Sequence, residues 1–166
     1  MCYNGTMFWK ILIVFLVSMV PIIELRGAVP IGVGLETGLP YWALLIIAII
    51  GNMLPVPAIY FLAQKVLKWG KKCKIKWFSK FCIFCLEKGK KVGDKMLKKT
   101  KGATYFALYL FVAIPIPGTG AWTGTLAASI LDLNFKKTAL AVIAGVITAG
   151  IIMLLISLGL FKAITG

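Results

Sequence analysis

The sequence has 166 residues, of which 60% are hydrophobic and only 14% are charged, and its mean hydropathy is +0.95. Soluble domains average about 45–50% apolar and about 25% charged residues, so this composition excludes a water-soluble globular domain. The length leaves room for about four apolar segments of membrane-spanning size. We therefore expect an all-α, multi-pass integral protein of the cell membrane.

The formal net charge is +14, from 19 basic and five acidic residues. Fourteen of the basic residues lie between Lys65 and Lys101, directly after an apolar segment. Such a loop is typical of the cytoplasmic side and attracts anionic lipid headgroups, which we expect as its partner. No base-stacking motif accompanies the charge, so nucleic acid is not expected. Aromatic residues at helical spacing within 64–102 predict an amphipathic helix in the membrane interface.

The sequence contains four cysteines and no histidine. Cys82 and Cys85 have CxxC spacing, but a zinc site needs about four ligands and the chain offers too few. The lack of histidine and the shortage of carboxylates also leave little for acid–base chemistry. We expect no metal, no cofactor and no catalytic residues, and hence no enzyme.

In chain order, the first apolar segment covers 7–39. It is apolar from Phe8 to Ile23, is interrupted at 24–30 and returns over 31–39, which predicts a re-entrant hairpin. The second segment, 41–63, has 23 residues and no charge, long enough for a spanning helix. Asn52 and two prolines within it predict a break covered by protein or water.

After the basic loop, residues 103–131 repeat this design. Two apolar halves flank the sequence IPIPGTG at 114–120, and such a break predicts a second re-entrant hairpin. Residues 138–160 are again 23 residues without charge and predict a second spanning helix. With the basic loop inside, the two halves have opposite orientation, the inverted-repeat plan of many transporters. In the competing topology, residues 7–23 span the membrane from the inside.

Glu24 and Arg26 are ionisable residues inside an apolar segment, which by default marks a functional pathway or a charge pair. The alternative is an interfacial pair at a helix end. Glu36 is the weaker candidate, and together with Glu24 it is a candidate for proton coupling. The turn from Pro115 to Gly120 would expose backbone N–H groups that can receive an anion, although it could equally be a tight reversal alone.

The predicted substrate-binding residues lie in the two interruptions and at the polar position of the first span. They are Glu24, Arg26, Gly27, Pro30, Asn52, Pro115, Pro117, Gly118, Thr119, Gly120, Trp122 and Thr123.

The segments ELRGAVPIGVGLETGLP and AIPIPGTGAWTGTLAA resemble the two signatures of the small multidrug export protein family, and more distantly the DedA/VTT membrane proteins. The resemblance implies two opposed re-entrant hairpins. It also implies movement of polyprenyl-phosphate or phospholipid headgroups across the bilayer, often dependent on the proton gradient. The DedA relatives usually place an arginine in the second hairpin, whereas Arg26 in the first is the only arginine here.

We therefore expect a transporter that moves a lipid-linked or amphipathic anion through a midplane site, with Arg26 and the turn N–H groups holding the charge. One alternative is efflux of cationic amphiphiles recognised by Glu24 and Trp122. Another is a non-transporting scaffold that binds anionic lipid through its loop. Small-residue faces such as Gly145 to Gly150 would suit a homodimer.

Overall fold

The computed structural model describes residues 3–21, 23–70, 83–84, 87, 101–116 and 118–165. Over these ranges the chain is helical and contains no strand, so the expected all-α class is confirmed. Residues 83–84 and 87 are helical, and the longer helices on either side of them are α1 (Tyr3–Met19), α2 (Glu24–Gly34), α3 (Tyr41–Met53), α4 (Pro55–Gly70), α5 (Lys101–Ala113), α6 (Ala121–Ile130) and α7 (Phe135–Thr165). Most of the predicted amphipathic loop helix lies outside the described residues.

Two helical stretches are long and apolar enough to cross a membrane. They are Tyr41–Val66, with 26 residues, and Phe135–Ala163, with 29 residues. The sequence predicted spans at 41–63 and 138–160, and both lie within these stretches. The first contains α3 and most of α4, which are separated only by Leu54. Pro55 begins α4 because the first helical position needs no N–H donor.

The first interruption lies earlier than the sequence predicted. Helix α1 ends at Met19 and α2 begins at Glu24, so residues 24–30 are helical and do not form the turn. Pro21 explains the early turn, because proline disfavours a helical conformation of the residue before it. Pro30 lies inside α2, since its fixed φ suits a helix and costs only one backbone hydrogen bond.

The second interruption lies where the sequence predicted it. Helix α5 ends at Ala113 and α6 begins at Ala121, so residues 114–120 form the break. We call this segment the second break. Gly118 within it has a φ of +88°, which favours glycine over any other residue.

Helices α2 and α6 have the same pattern of burial. Each buried position of α2 has a buried counterpart at the same offset in α6 or at its N-cap, Gly120. The buried residues of α2 are Glu24, Leu25, Ala28, Val29, Gly32 and Val33, and their counterparts are Gly120, Ala121, Gly124, Thr125, Ala128 and Ser129. Each helix is followed by a leucine and then an acidic residue with positive φ, at 46° for Glu36 and 54° for Asp132.

The packing of the two halves is also similar. Helix α1 packs against α3, and α5 packs against α7; α2 contacts α7, and α6 contacts α4. A glycine permits each close crossing: Gly51 of α3 lies against Phe15 of α1, and Gly145 of α7 lies against Val112 of α5. Helix α2 and the second break meet between these elements, where the candidate site lies.

Candidate functional site

Two charged residues of the first half contact the second break. Glu24 and Arg26 reach across to residues 114–122, which are 88 to 98 positions later in the chain. We call the five residues Glu24, Arg26, Thr119, Gly120 and Trp122 the charge junction.

Arg26 binds the end of α5. Its Nη1 donates a hydrogen bond to the carbonyl of Ile116, and its Nη2 donates to the carbonyl of Ile114 and to Oγ1 of Thr119, both at 3.1 Å. Ile114 and Ile116 follow closely after the last residue of α5, and a cation is favourable there because it opposes the negative end of the helix dipole. The planar fork of arginine can serve several of these acceptors at once.

Glu24 binds the start of α6. Its Oε1 accepts a hydrogen bond from the backbone N–H of Trp122 at 3.2 Å. Carboxylates are favourable at a helix N-terminus, where N–H groups are free and the dipole is positive. The side chain is only 6% exposed, so little of this interaction is screened by solvent.

The backbone brings the Glu24 carboxylate very close to the chain at Gly120. A Cβ atom on Gly120 would collide with both oxygens of the carboxylate, so only glycine fits there without movement. Glu24 itself has a φ of +50°, which is uncommon for a residue other than glycine. Such strain is found mainly at functional sites, where the surrounding structure holds it in place.

The sequence predicted that Glu24 and Arg26 form a pathway or a pair. In the structure both meet the second break, but each takes a partner other than its neighbour. The two charges thus lie at the two helix ends that the break creates, with the positive charge at the end of α5 and the negative charge at the start of α6.

Two threonines complete the second break. Oγ1 of Thr119 lies 2.9 Å from the carbonyls of Ile114 and Ile116, and can donate its single proton to either. Oγ1 of Thr123 accepts from the N–H of Gly120 at 2.9 Å and lies 3.0 Å from the carbonyl of Gly118. These hydroxyls satisfy backbone groups that the break leaves without helical partners.

A cavity of about 230 Å³ opens at the charge junction. Its lining consists of Pro21, Glu24, Arg26, Gly118, Thr119, Gly120 and Thr123. Drug-sized ligands occupy pockets of about 300–1,000 Å³, so this cavity suits a small polar group, such as the head of an amphiphile. Six of the twelve predicted binding residues line it together.

The other predicted residues lie outside this cavity. Gly27 and Pro30 are part of α2, and a Cβ on Gly27 would collide with the side chain of Ile23. Pro115 is in the second break, Pro117 lies outside the described residues, and Asn52 is buried in α3. The backbone of Trp122 binds Glu24, while its indole Nε1 is buried and lacks an acceptor among the described residues.

Glu36 is not part of the charge junction. It lies at the end of α2 in a separate cavity of about 630 Å³, which Tyr41 and Phe161 also line. Its backbone carbonyl accepts a hydrogen bond from Nζ of Lys10 at 3.1 Å.

Sequence reasoning missed the carbonyls of Ile114 and Ile116 as the partners of Arg26. A signal was available: a helix break frees backbone carbonyls, and the chain contains a single arginine to bind them. Pro21, which lines the cavity, was also missed, because the first turn was placed several residues too late.

The comparisons with known proteins agree with this description. The family model described as "Putative small multi-drug export protein" matches residues 24–152, which include α2 to α6, the first part of α7 and the charge junction. No curated protein and no solved structure gives a significant match. The two apolar helices and the export family together indicate a membrane protein. The matched region covers most of the chain, which therefore belongs to the small multidrug export protein family.

Proposed function

We propose that this protein is a multi-pass carrier of the cell membrane that exports an amphipathic anion, of the polyprenyl-phosphate or phospholipid type. The observation that carries the proposal is the cavity of about 230 Å³ at the charge junction. It contains the guanidinium of Arg26, whose charged donors suit phosphate oxygens. The hydroxyls of Thr119 and Thr123 lie beside it and would exchange their backbone carbonyls for the substrate. The apolar part of the substrate would remain in the surrounding lipid.

The proposed architecture is an inverted repeat with two re-entrant hairpins, α1–α2 and α5–α6. The matching burial of α2 and α6 supports two related halves, as do the left-handed acidic residues Glu36 and Asp132 that follow them. Helices α2 and α6 have only 11 and 10 residues, too short to cross a bilayer at about 1.5 Å per residue. In such transporters, interrupted elements meet at the midplane site.

In this proposal, Glu24 is the resident anion of the site. The sequence predicted that the turn N–H groups would receive an anion, and the Glu24 carboxylate occupies that position at Trp122. A substrate phosphate at the start of α6 must therefore displace Glu24. The displaced carboxylate would be buried without a partner, so uptake of a proton by Glu24 would accompany substrate binding. This exchange would couple transport to protons.

Reconstitution into proteoliposomes tests the proposal, with a labelled polyprenyl phosphate as substrate. Arg26→Gln should abolish transport, and Arg26→Lys should rescue it poorly, because an ammonium group lacks the planar fork. Glu24→Gln should also abolish transport but bind the substrate more tightly, because a neutral amide competes weakly for the helix N-terminus. Flux and equilibrium binding are measured on the same preparations.

Lys10→Gln is the matched control. Like Arg26, Lys10 is a cation that donates to a backbone carbonyl, but it lies outside the cavity at the charge junction. The Lys10→Gln variant should transport like the parent. Folded Arg26→Gln and Glu24→Gln proteins with parental flux would show that the site is wrong. Loss of lipid binding on neutralising lysines of 65–101, without any effect of Glu24 or Arg26, would instead support the scaffold.

A second candidate function is export of cationic amphiphiles, which the cavity around Glu36 favours. At about 630 Å³ it has the volume of a drug-sized pocket, and it combines a carboxylate with the rings of Tyr41 and Phe161. This candidate predicts that a cationic dye is transported and that Glu36→Gln lowers its flux. Unchanged dye flux in Glu36→Gln would count against it.

A further inference from the structure

Glu24 also lines a second, much smaller cavity, of about 10 Å³. Arg26 and Asn52 supply the other polar side chains of its lining, and the remaining lining residues are apolar side chains and Gly120. The cavity lies where α2 meets α3, α5, α6 and α7. It thus connects the charge junction with the middle of the first span.

Asn52 presents an unpaired acceptor at this cavity. The residue is only 2% exposed, and no donor among the described residues lies within hydrogen-bonding distance of its Oδ1. A buried acceptor without a donor costs about 1–3 kcal/mol. A hydrogen-bond donor other than the surrounding side chains would therefore stabilise Oδ1 of Asn52.

The Glu24 carboxylate can accept a further bond at the same place. An ionised carboxylate has about four acceptor positions, and the backbone N–H groups of Trp122 and Ala121 occupy two of them. Two acceptors that face one cavity are joined most simply by a molecule that donates two hydrogen bonds. Water is such a molecule.

The volume and the charges favour water over a metal cation. About 10 Å³ is the lower limit for a single water molecule. Hard cations take about six oxygen ligands, but the side chains of this lining that carry oxygen are those of Glu24 and Asn52. The guanidinium of Arg26 in the same lining also opposes a second positive charge.

We propose that one buried water bridges the Glu24 carboxylate and Oδ1 of Asn52, and that Asn52 is a positioning residue of the transport site. The water fixes the carboxylate between α3 and the start of α6. The presence of the water does not depend on the proposed function, whereas the positioning role of Asn52 rests on that function. When substrate displaces Glu24 from Trp122, the water bridge to Asn52 keeps the carboxylate near α3, so that it can return to Trp122 after the substrate leaves.

Nuclear magnetic resonance of the full chain in nanodiscs tests the water directly. The chain has only three asparagines, Asn4, Asn52 and Asn134, so selective ¹⁵N-asparagine labelling yields few side-chain signals, assigned by substitution. The Asn52 amide group should show a cross-peak to water with the sign of a long-lived contact. Asn134 is exposed and serves as the internal control, with only the short-lived contacts of surface hydration.

Two outcomes of this measurement would overturn the water bridge. One is an Asn52 amide without a long-lived water contact. The other is a shift of its signal when sodium is replaced by choline, which would indicate a cation instead. Glu24→Leu removes one of the two acceptors and should abolish the contact. Gly34→Ala, at an open helical position outside this cavity, should leave the contact unchanged.

The positioning role is tested by transport. Asn52→Leu has a similar shape but no acceptor, and should lower the maximal rate about ten-fold with little change in apparent substrate affinity. Asn52→Ser should transport faster than Asn52→Ala, because only serine offers an oxygen to the water. Parental flux in Asn52→Leu would overturn the role. A parent that transports no polyprenyl phosphate would refute the proposed function and the positioning role but not the bridge.

Discussion

At the scale of single residues, the backbone of Glu24 is the most unusual feature of the site. Its left-handed φ of +50° comes directly after the turn that ends α1, and its N–H donates to the carbonyl of Val20 at 2.8 Å. A left-handed conformation costs a non-glycine residue about 1–3 kcal/mol. The charged contact with the start of α6 offsets part of this cost and directs the carboxylate toward Trp122.

A substitution at Gly120 tests the close approach of the Glu24 carboxylate to the chain. Its φ of −166° is extended backbone that any residue adopts, so the contact with Glu24 alone requires glycine. To make room for a Cβ, the flexible end of Glu24 must leave the backbone N–H of Trp122. We therefore expect Gly120→Ala to lower the free energy of unfolding by about 1–3 kcal/mol, the cost of a buried group that loses its hydrogen bond. Thermal unfolding in detergent, followed by circular dichroism, measures the change.

Gly34→Ala is the matched control, because a Cβ there meets nothing within 4 Å. It lies at the end of α2 and should leave the stability unchanged or raise it by up to about 1 kcal/mol. In a Glu24→Ala background, Gly120→Ala should cost little, because the colliding carboxylate is gone. An equal cost in both backgrounds would contradict the assigned contact.

At the scale of the helices, close crossings at Gly51 and Gly145 hold α1 against α3 and α5 against α7. A Cβ on Gly145 would lie 2.7 Å from Cβ of Val112 and 3.0 Å from the carbonyl oxygen of Tyr109. A Cβ on Gly51 would lie 2.7 Å from the carbonyl oxygen of Phe15. Backbone atoms cannot move aside as a flexible side chain can, so the helices themselves must separate.

We expect Gly51→Ala and Gly145→Ala each to lower the free energy of unfolding by about 1–3 kcal/mol. Gly159→Ala in α7 meets nothing within 4 Å and should be neutral or slightly stabilising. Urea or thermal unfolding of the three variants gives the comparison. A Gly145→Ala protein as stable as Gly159→Ala would show that α5 and α7 are not closely packed.

The helices show how far the sequence could predict the fold. The second break was found because prolines and glycines crowd 114–120 and leave no helical alternative. The first break was misplaced because Pro30 resembles a helix-breaking residue. In the structure Pro30 lies inside α2, and the chain turns at Pro21, three residues before Glu24 and its positive φ. Local propensity cannot decide between two prolines when tertiary contacts select the turn.

The site shows a different limit. Charge in an apolar segment made Glu24 and Arg26 candidates, because burial of an ionisable group demands a partner, and both do contact the second break. The break indicated that backbone carbonyls become free, but not which carbonyls Arg26 binds, since those of Ile114 and Ile116 carry no side-chain signal and lie 88 and 90 residues away. Contacts at such separation depend on how the two halves pack.

At the scale of the whole molecule, the orientation of the two halves is the decisive prediction. In a variant without native cysteines, single cysteines at Lys88 and Lys136 should be shielded from a membrane-impermeant maleimide added to intact cells. Both positions belong to segments predicted to be cytosolic by their positive charge. A cysteine at Glu36 should be labelled from outside, since the first hairpin is proposed to open there.

Permeabilised cells provide the control, because all three cysteines should then react. Labelling of Lys88 or Lys136 positions in intact cells would contradict the inverted repeat. A further single cysteine at Met7 separates the competing topology, in which residues 7–23 span the membrane from the inside. It should be shielded in that topology and labelled from outside in the inverted repeat.

The distance along the chain between the charges and their partners has a consequence for biosynthesis. Trp122 follows Glu24 by 98 residues, so at about 5–20 residues per second the ribosome needs about 5–20 s to supply the partner. During that interval the nascent first half carries a carboxylate and a guanidinium without their final hydrogen bonds. It must wait in the aqueous translocon or at the headgroups until the second half emerges. A chain truncated between the halves would keep both charges without these partners, and we expect it to be less stable in the membrane than the full chain.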